Sequence, residues 1–296
     1  MSKRATPPTL NTDYATARPI LLTGGSGLHL VLVGCGGTGS WLAPTLARLA
    51  AVLHGAGRPT HLTFIDPDHV EAGNVPRQNF CAAEIGAAKA GALALRYTRA
   101  WGVDITAIQA PLDQAQLTPY YSKELLIFCG AVDNAAARRS LAAALQIRNR
   151  PAAYPGGEQT PAWWLDCGNA ADTGQVLFGN TLDPAQLQHA FTLETVCRAL
   201  PAPSLQCPTL LADAPEEQAG ATLSCTELML RNAQSLMINQ AVATAAGALL
   251  QRLLIAGDLR IFATYLDLAT GVQKSDYTTP QAVGRFAKKR PAKNAD

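Results

Sequence analysis

Val31-Leu32-Val33-Gly34-Cys35-Gly36-Gly37-Thr38-Gly39-Ser40 reads as an apolar strand that ends in a glycine-rich turn and passes into a helix whose pattern is established by Trp41. That is the strand–turn–helix setting a nucleotide-phosphate loop requires. Glycines at 34, 36 and 39 allow a tight turn and a close approach of backbone to phosphate, with the helix N-terminus aimed at the anion. On its own the turn suits any dinucleotide-binding domain. Further patches continue the pattern: Asp66-Pro67-Asp68, then Asn74-Val75-Pro76-Arg77-Gln78, then Lys89.

Outward from the turn, strands and helices alternate. Strand 29–33 leads to helix 41–53, strand 61–66 to helix 84–101, and strands 104–110 and 124–129 to helix 134–149. Apolar runs without alternation, such as Leu125-Leu126-Ile127-Phe128, suit parallel strands covered on both faces, joined by right-handed crossovers. The fold class expected is α/β, a Rossmann-like doubly wound mixed sheet. Trp163–Cys167 and Gln175–Gly179 form two strands across an Asn169–Gly174 turn, followed by a helix near 183–198. The proline-rich stretch 200–225 is expected to be a mobile crossover loop, and a long helix follows from Thr226 to Ile255. Leu259–Leu266 and Val272–Ser275 flank Gly271 as a final hairpin. One domain over 28–277 is thus expected, after a flexible lead-in at 1–27 and before a disordered tail at 278–296 that turns basic from Lys288.

The chain has 296 residues, 48% of them hydrophobic, enough for a sizeable core. A net charge of +2 gives no electrostatic case for nucleic acid or an anionic membrane. The longest apolar stretch, Leu236–Ile255, is broken by Asn239, Gln240, Gln251 and Arg252, and reads as a buried helix instead of a membrane span. The first twenty residues are polar and proline-punctuated, so a cytoplasmic location is expected. The seven cysteines are odd in number and none are spaced Cys-x-x-Cys, which points to a reducing compartment with neither a disulfide framework nor a zinc ribbon.

The polar patches have a chemistry of their own. Asp66 ends the second strand at the edge where doubly wound sheets bind ligands, and a carboxylate there can accept hydrogen bonds from ribose hydroxyls. NAD proteins share that feature. Arg77 and Lys89, two cations beyond the turn, suit a triphosphate whose charge must be neutralised, and Asn74 and Gln78 add neutral donors. Asp133 lies just past strand 124–129, on the same edge. Each patch also has a plainer role open to it. Asp66 could cap a loop, Arg77 and Lys89 could be solvated surface charges, and Asp133-Asn134 could cap helix 134–149.

Gly34-x-Gly36-Gly37-x-Gly39, Asp66-x-Asp68, Asn74-x-x-Arg77-Gln78, Lys89 and Val132-Asp133-Asn134, taken in this order, resemble the ubiquitin-activating (E1-like) superfamily that includes bacterial ThiF and MoeB. The pair Asp166-Cys167-Gly168 and Gly174-Gln175 is similar to that group's D-x-G and G-Q strands, and residues 164–179 resemble the ThiF-related proteins of plasmid PRTRC cassettes. The resemblance covers roughly 29–180 and, with the long helix, reaches about 255. It implies ATP-dependent adenylation of the C-terminal carboxylate of a ubiquitin-like or sulfur-carrier protein ending in glycine, and a homodimer. It further implies that Gly34, Gly36, Gly37, Gly39, Asp66, Asp68, Asn74, Arg77, Gln78 and Lys89 surround ATP, with Asp133 holding Mg2+.

Cys225, directly before the long helix, stands where ThiF-like members carry the thiol that accepts the acyl group. A helix N-terminus lowers a thiol pKa, which suits that role. Cys207 and Cys197 are the second and third candidates, whereas Cys35, Cys81, Cys129 and Cys167 look structural. The chain departs from MoeB and ThiF in lacking paired Cys-x-x-Cys ligands, so no structural zinc is expected. The group's N-terminal arginine helix is missing too, which leaves Arg18 and Arg4 as candidates by elimination. Adenylation of a small-molecule carboxylic acid, a non-catalytic scaffold and an NAD-dependent oxidoreductase stay open as alternatives.

Overall fold

In the computed structural model Leu28, Leu30 and Leu32 pack into one hydrophobic core, while Val31 and Val33, the alternate residues of the same strand, pack into another. A strand buried on both faces must lie inside a sheet covered on both sides. The structure describes residues 12–113, 124–149, 161–213 and 236–287. Its strands are β1 (Leu28–Val33), β2 (Thr60–Ile65), β3 (Ile105–Ile108), β4 (Leu125–Gly130), β5 (Ala162–Asn169), β6 (Thr173–Gly179), β7 (Ile261–Asp267) and β8 (Val272–Tyr277). The helices are α1 (Asp13–Thr16), α2 (Gly37–Gly55), α3 (Lys89–Trp101), α4 (Ala135–Arg148), α5 (Pro203–Gln206), α6 (Leu236–Gln251) and α7 (Pro280–Gly284).

These strands form one eight-stranded sheet in the order β3-β2-β1-β4-β5-β6-β7-β8. Pairing is parallel from β3 to β5 and antiparallel from β5 to β8. The fold is therefore the expected α/β doubly wound mixed sheet. Helices α2, α3 and α6 contribute Leu42, Leu46, Leu93, Val242 and Leu250 to one core, and α4 contributes Leu141 and Leu145 to the other. Trp163 and Trp164 divide in the same way: Trp163 stacks on Phe178 at 5.0 Å in the first core, and Trp164 lies in the second. The chain runs outward from β1 through β2 to β3 and then returns to β4 on the other side of β1. The loops after β1 and β4 thus flank the switch point where such sheets bind ligands.

Several boundaries differ from the sequence expectation. Helix α3 starts at Lys89, because Gly86 adopts φ 88° and ends the short 3-10 turn Ala82–Glu84 before it. The helix expected near 183–198 is reduced to a 3-10 turn at Gln186–His189. Tertiary pairing explains this, since Cys197 donates its N–H to Pro19 and accepts from Leu21. The same pairing holds part of the supposed lead-in: Ile20 is buried and donates to Leu259, and Arg18 donates to Thr278. Likewise residues 200–204 are buried and run into α5 instead of a free crossover loop, and Val283 of α7 is buried within the supposed tail. Residues 214–225 and 288–296 lie outside the described residues. Helix α6 is followed by a π turn, Arg252–Ala256, which Gly257 closes at φ 67°. Among the described residues no helix is long and apolar enough to cross a membrane.

Candidate functional site

The turn after β1 is built around space that only glycine leaves. Gly34 has φ 87°, and its N–H is bonded to the Ile65 carbonyl at 2.9 Å. A Cβ on Gly34 would sit 2.5 Å from the Ala131 carbonyl oxygen, so the turns after β1 and β4 touch. A Cβ on Gly39 would lie 1.9 Å from the Gly34 carbonyl oxygen, where no backbone shift of ordinary size could admit it. Helix α2 begins at Gly37 with its first turn facing this bare backbone, the arrangement that presents peptide N–H groups to an anion.

Asp66 closes the turn from β2. One carboxylate oxygen accepts the Cys35 N–H at 2.6 Å and the other accepts the Asp68 N–H at 2.9 Å. The residue is 5% exposed. Burial pushes its pKa up, and those two hydrogen bonds and the Lys89 charge oppose that rise. Lys89, first residue of α3, is itself buried and reaches Asp68 with Nζ at 2.9 Å. Its backbone N–H donates to the Asp68 carbonyl at 2.9 Å, which fixes where the side chain starts.

The loop 74–79 is pinned to the same corner. Asn74 Oδ1 accepts the Glu71 N–H at 2.9 Å, orienting its amide. Asn79 donates its N–H to Ser40 Oγ at 2.9 Å, and its side chain donates to the Ser40 carbonyl and to the Tyr97 hydroxyl. Arg96 holds the Asn79 carbonyl at 2.8 Å and pairs with Glu84. Between these anchors Gln78 is buried, with Nε2 3.8 Å from where a Cβ on Gly36 would stand. Among the described residues Gln78 Oε1 and Arg77 Nε are buried without a hydrogen-bond partner. Polar atoms left so are costly unless a ligand or water meets them.

Asp133 is exposed past β4, where it accepts only a 3.2 Å bond from Asn134 Nδ2 among the described residues. The cap of α4 is Asn134, whose Oδ1 accepts the Ala137 N–H at 2.8 Å. The capping role therefore falls to Asn134 and leaves the exposed Asp133 carboxylate outside the cap.

The structure thus brings together the glycine turn, Asp66, Asp68, Lys89 and Gln78, sets Asn74 and Arg77 on the adjoining loop, and places Asp133 beside the neighbouring turn. Cys225 lies outside the described residues. Cys197 does not fit a nucleophile: it is fully buried, its Sγ donates to the Ala199 carbonyl, and burial pushes its pKa up to about 12. Cys35, Cys129 and Cys167 are buried with raised pKa values, whereas Cys81 is exposed and Cys207 half-buried. Arg18 stacks on the Phe191 ring at 5.2 Å, and Arg4 lies outside the described residues. Among the described residues no group of three or more His, Cys, Asp and Glu side chains gathers to hold a metal.

Sequence reasoning missed three members of this corner. Ser40 and Asn79 lock the Arg77–Gln78 loop to α2, and Asn239 of α6 reaches Thr38 at 3.2 Å. The signal for Asn239 was present, as an amide inside an otherwise apolar helix, but nothing local shows which strand or turn such a helix packs on.

Comparison with known proteins identifies the family and the fold. Residues 26–195, more than half of the chain, match the family described as ThiF family. No curated protein matches the chain. Among solved structures, E. coli MccB with AMPCPP and MccA superposes with a TM-score of 0.54 at 14% identity, covering 86% of this chain and 65% of that one. MccB with ATP gives 0.51 at 13% identity, covering 86% and 64%. PaaA gives 0.51 at 15%, covering 85% and 64%. At such identities the likeness is one of fold, and this chain spans less than two thirds of the length of these three structures.

Proposed function

The chain belongs to the ThiF family, and we propose that it adenylates a carboxylate with ATP, the carboxylate being the C-terminus of a ubiquitin-like or sulfur-carrier protein. The observation that carries this reading is the corner where Lys89 and Asp66 close on the glycine turn beside Gln78 and Arg77, whose buried Oε1 and Nε lack partners among the described residues. The fold likeness to MccB, solved with ATP and with AMPCPP, supports ATP as the nucleotide.

In this scheme the Asp66 carboxylate orients the turn and reaches the ribose, and the first turn of α2 faces the phosphates. Lys89 and Arg77 neutralise charge that grows on the phosphates in the transition state. A carboxylate oxygen of the carrier forms a bond to the α-phosphorus while the bond to the bridging oxygen breaks, so pyrophosphate leaves and an acyl adenylate remains. Asp133 would hold Mg2+ in this scheme. An exposed carboxylate with no cation partner among the described residues fits a hard ion shared with phosphate oxygens. When bound, the ion screens phosphate charge. Transfer of the acyl group to the Cys225 thiol and pairing of two chains belong to the same proposal.

ATP–pyrophosphate exchange with a glycine-terminated carrier tests it. Wild-type protein should exchange label, and Asp133→Ala should lose at least about a hundredfold of that rate. Unchanged exchange in Asp133→Ala would remove Asp133 from the mechanism. A reducible carrier adduct, seen by intact mass and lost in Cys225→Ala, would establish the thioester. Exchange supported by a small carboxylic acid and not by carriers would transfer the activity to that substrate class.

A further inference from the structure

Helix α6 turns Ile238, Val242, Ala243 and Ala246 into the main core, where all four are buried. Within that stripe stands Asn239, 2% exposed. Its Oδ1 accepts from Thr38 Oγ1 at 3.2 Å and from Asn169 Nδ2 at 3.0 Å. Those two donors come from the first turn of α2 and the end of β5, so they fix the plane of the amide. Its Nδ2 is then left buried, with no hydrogen-bond partner among the described residues. The amide lies flat against Gly37: a Cβ there would stand 2.7 Å from Oδ1 and 3.2 Å from Nδ2. Gly37 is bare, on this geometry, because Asn239 occupies the place of its side chain.

A buried donor without an acceptor destabilises a folded chain, and the two bonds that Oδ1 accepts do not satisfy Nδ2. The location of the orphan supplies the reason to keep it. It adjoins the N-terminus of α2, the end of the helix that presents N–H groups to an anion. We infer that Asn239 donates Nδ2 to a phosphate of the nucleotide bound at the glycine turn, held for that task by Thr38 and Asn169. The inference rests on the adenylation reading. It adds a ligand contact from α6, outside the residues of the strand–turn–helix motif.

The test uses the full chain, with MgATP binding measured by calorimetry and adenosine binding by ligand-observed NMR. Asn239→Ala should weaken MgATP about tenfold, the loss expected for one hydrogen bond to a charged group. Asn239→Asp should weaken it by about a hundredfold or more, because a carboxylate then faces phosphate. Adenosine affinity should not change in either variant, while the melting temperature of Asn239→Ala should fall modestly, because Thr38 Oγ1 and Asn169 Nδ2 lose their acceptor. Wild-type-like MgATP binding by Asn239→Ala would overturn the inference. Equal weakening of MgATP and adenosine would also overturn it by assigning Asn239 a packing role. If Asn239→Asp does not fold, the alanine variant alone decides. A wild-type chain that binds no MgATP would overturn the adenylation reading itself, an outcome distinct from a normal wild type with indifferent variants.

Discussion

Two carboxylates are buried in this sheet, Asp66 at the end of β2 and Asp166 within β5, and they are kept there by different means. Asp66 is held by peptide N–H groups of Cys35 and Asp68, donors that belong to the turn it closes. Asp166 is fully buried and held by a side chain, the Arg138 guanidinium of α4 at 3.3 Å. Burial raises both pKa values, that of Asp166 to about 6. The first carboxylate takes its donors from the backbone of the glycine turn and its own loop, so its charge holds that turn in place. The second is consumed in a closed ion pair. Burial of a charge is thus no sign of a site by itself; the nature of its partners makes the distinction.

The comparison breaks most easily at the turn. Gly39→Ala forces a Cβ to 1.9 Å from a carbonyl oxygen, so it should cost about 4 kcal/mol or more and abolish MgATP binding. Gly36→Ala, whose Cβ meets nothing nearer than 3.8 Å, serves as the control. Next in size is Asp166→Leu, which strands Arg138 in the core and should cost about 3–5 kcal/mol in urea unfolding. A loss as small in that variant as at an exposed site would mean that the pair is not closed.

A third experiment sharpens the contrast through pH. The Asp166 pKa is raised from 3.8 to about 6 in the folded chain, so the folded state binds a proton there that the unfolded state has released. Its contribution to stability is complete below pH 4 and is lost as pH rises through 6. The double variant Asp166→Asn, Arg138→Met has no such titration. Relative to wild type it should therefore gain on the order of 2 kcal/mol between pH 4 and pH 7. A pH-independent difference would show that Asp166 is ionised throughout that range. The smallest effect is expected of Gly36→Ala, under about 1 kcal/mol in stability. A loss as large as that of Gly39→Ala would mean that the turn tolerates no side chain anywhere.

Legibility followed the same division. The parallel half, β1 through α4, was readable because β1 and β4 are buried on both faces and each motif is local: Gly34 to Gly39, Asp66 to Asp68, and Asn134 as a cap are settled within a few residues. Misreadings gathered where a distant segment supplies the partner. Residues 183–198 carry enough apolar content for a helix, yet Cys197 pairs with Pro19 and Leu21, and the backbone bonds given to that pairing are unavailable to a helix. The same contact turned an expected loose lead-in into part of the core. Arg138 and Asp166 lie 28 positions apart, and neither position announces the other.

The sequence by itself determined the family, the doubly wound sheet and the cluster of turn, carboxylate and cations after β1 and β2, because hydrophobic burial and glycine sterics act over short spans of chain. Only the tertiary structure decided which polar residues meet across those spans. It placed Asn239 against Gly37, Ser40 against Asn79 and Arg138 against Asp166. Such pairings depend on how helices lie across the sheet, and a hydrogen bond between residues far apart in the chain leaves no periodic mark on either segment.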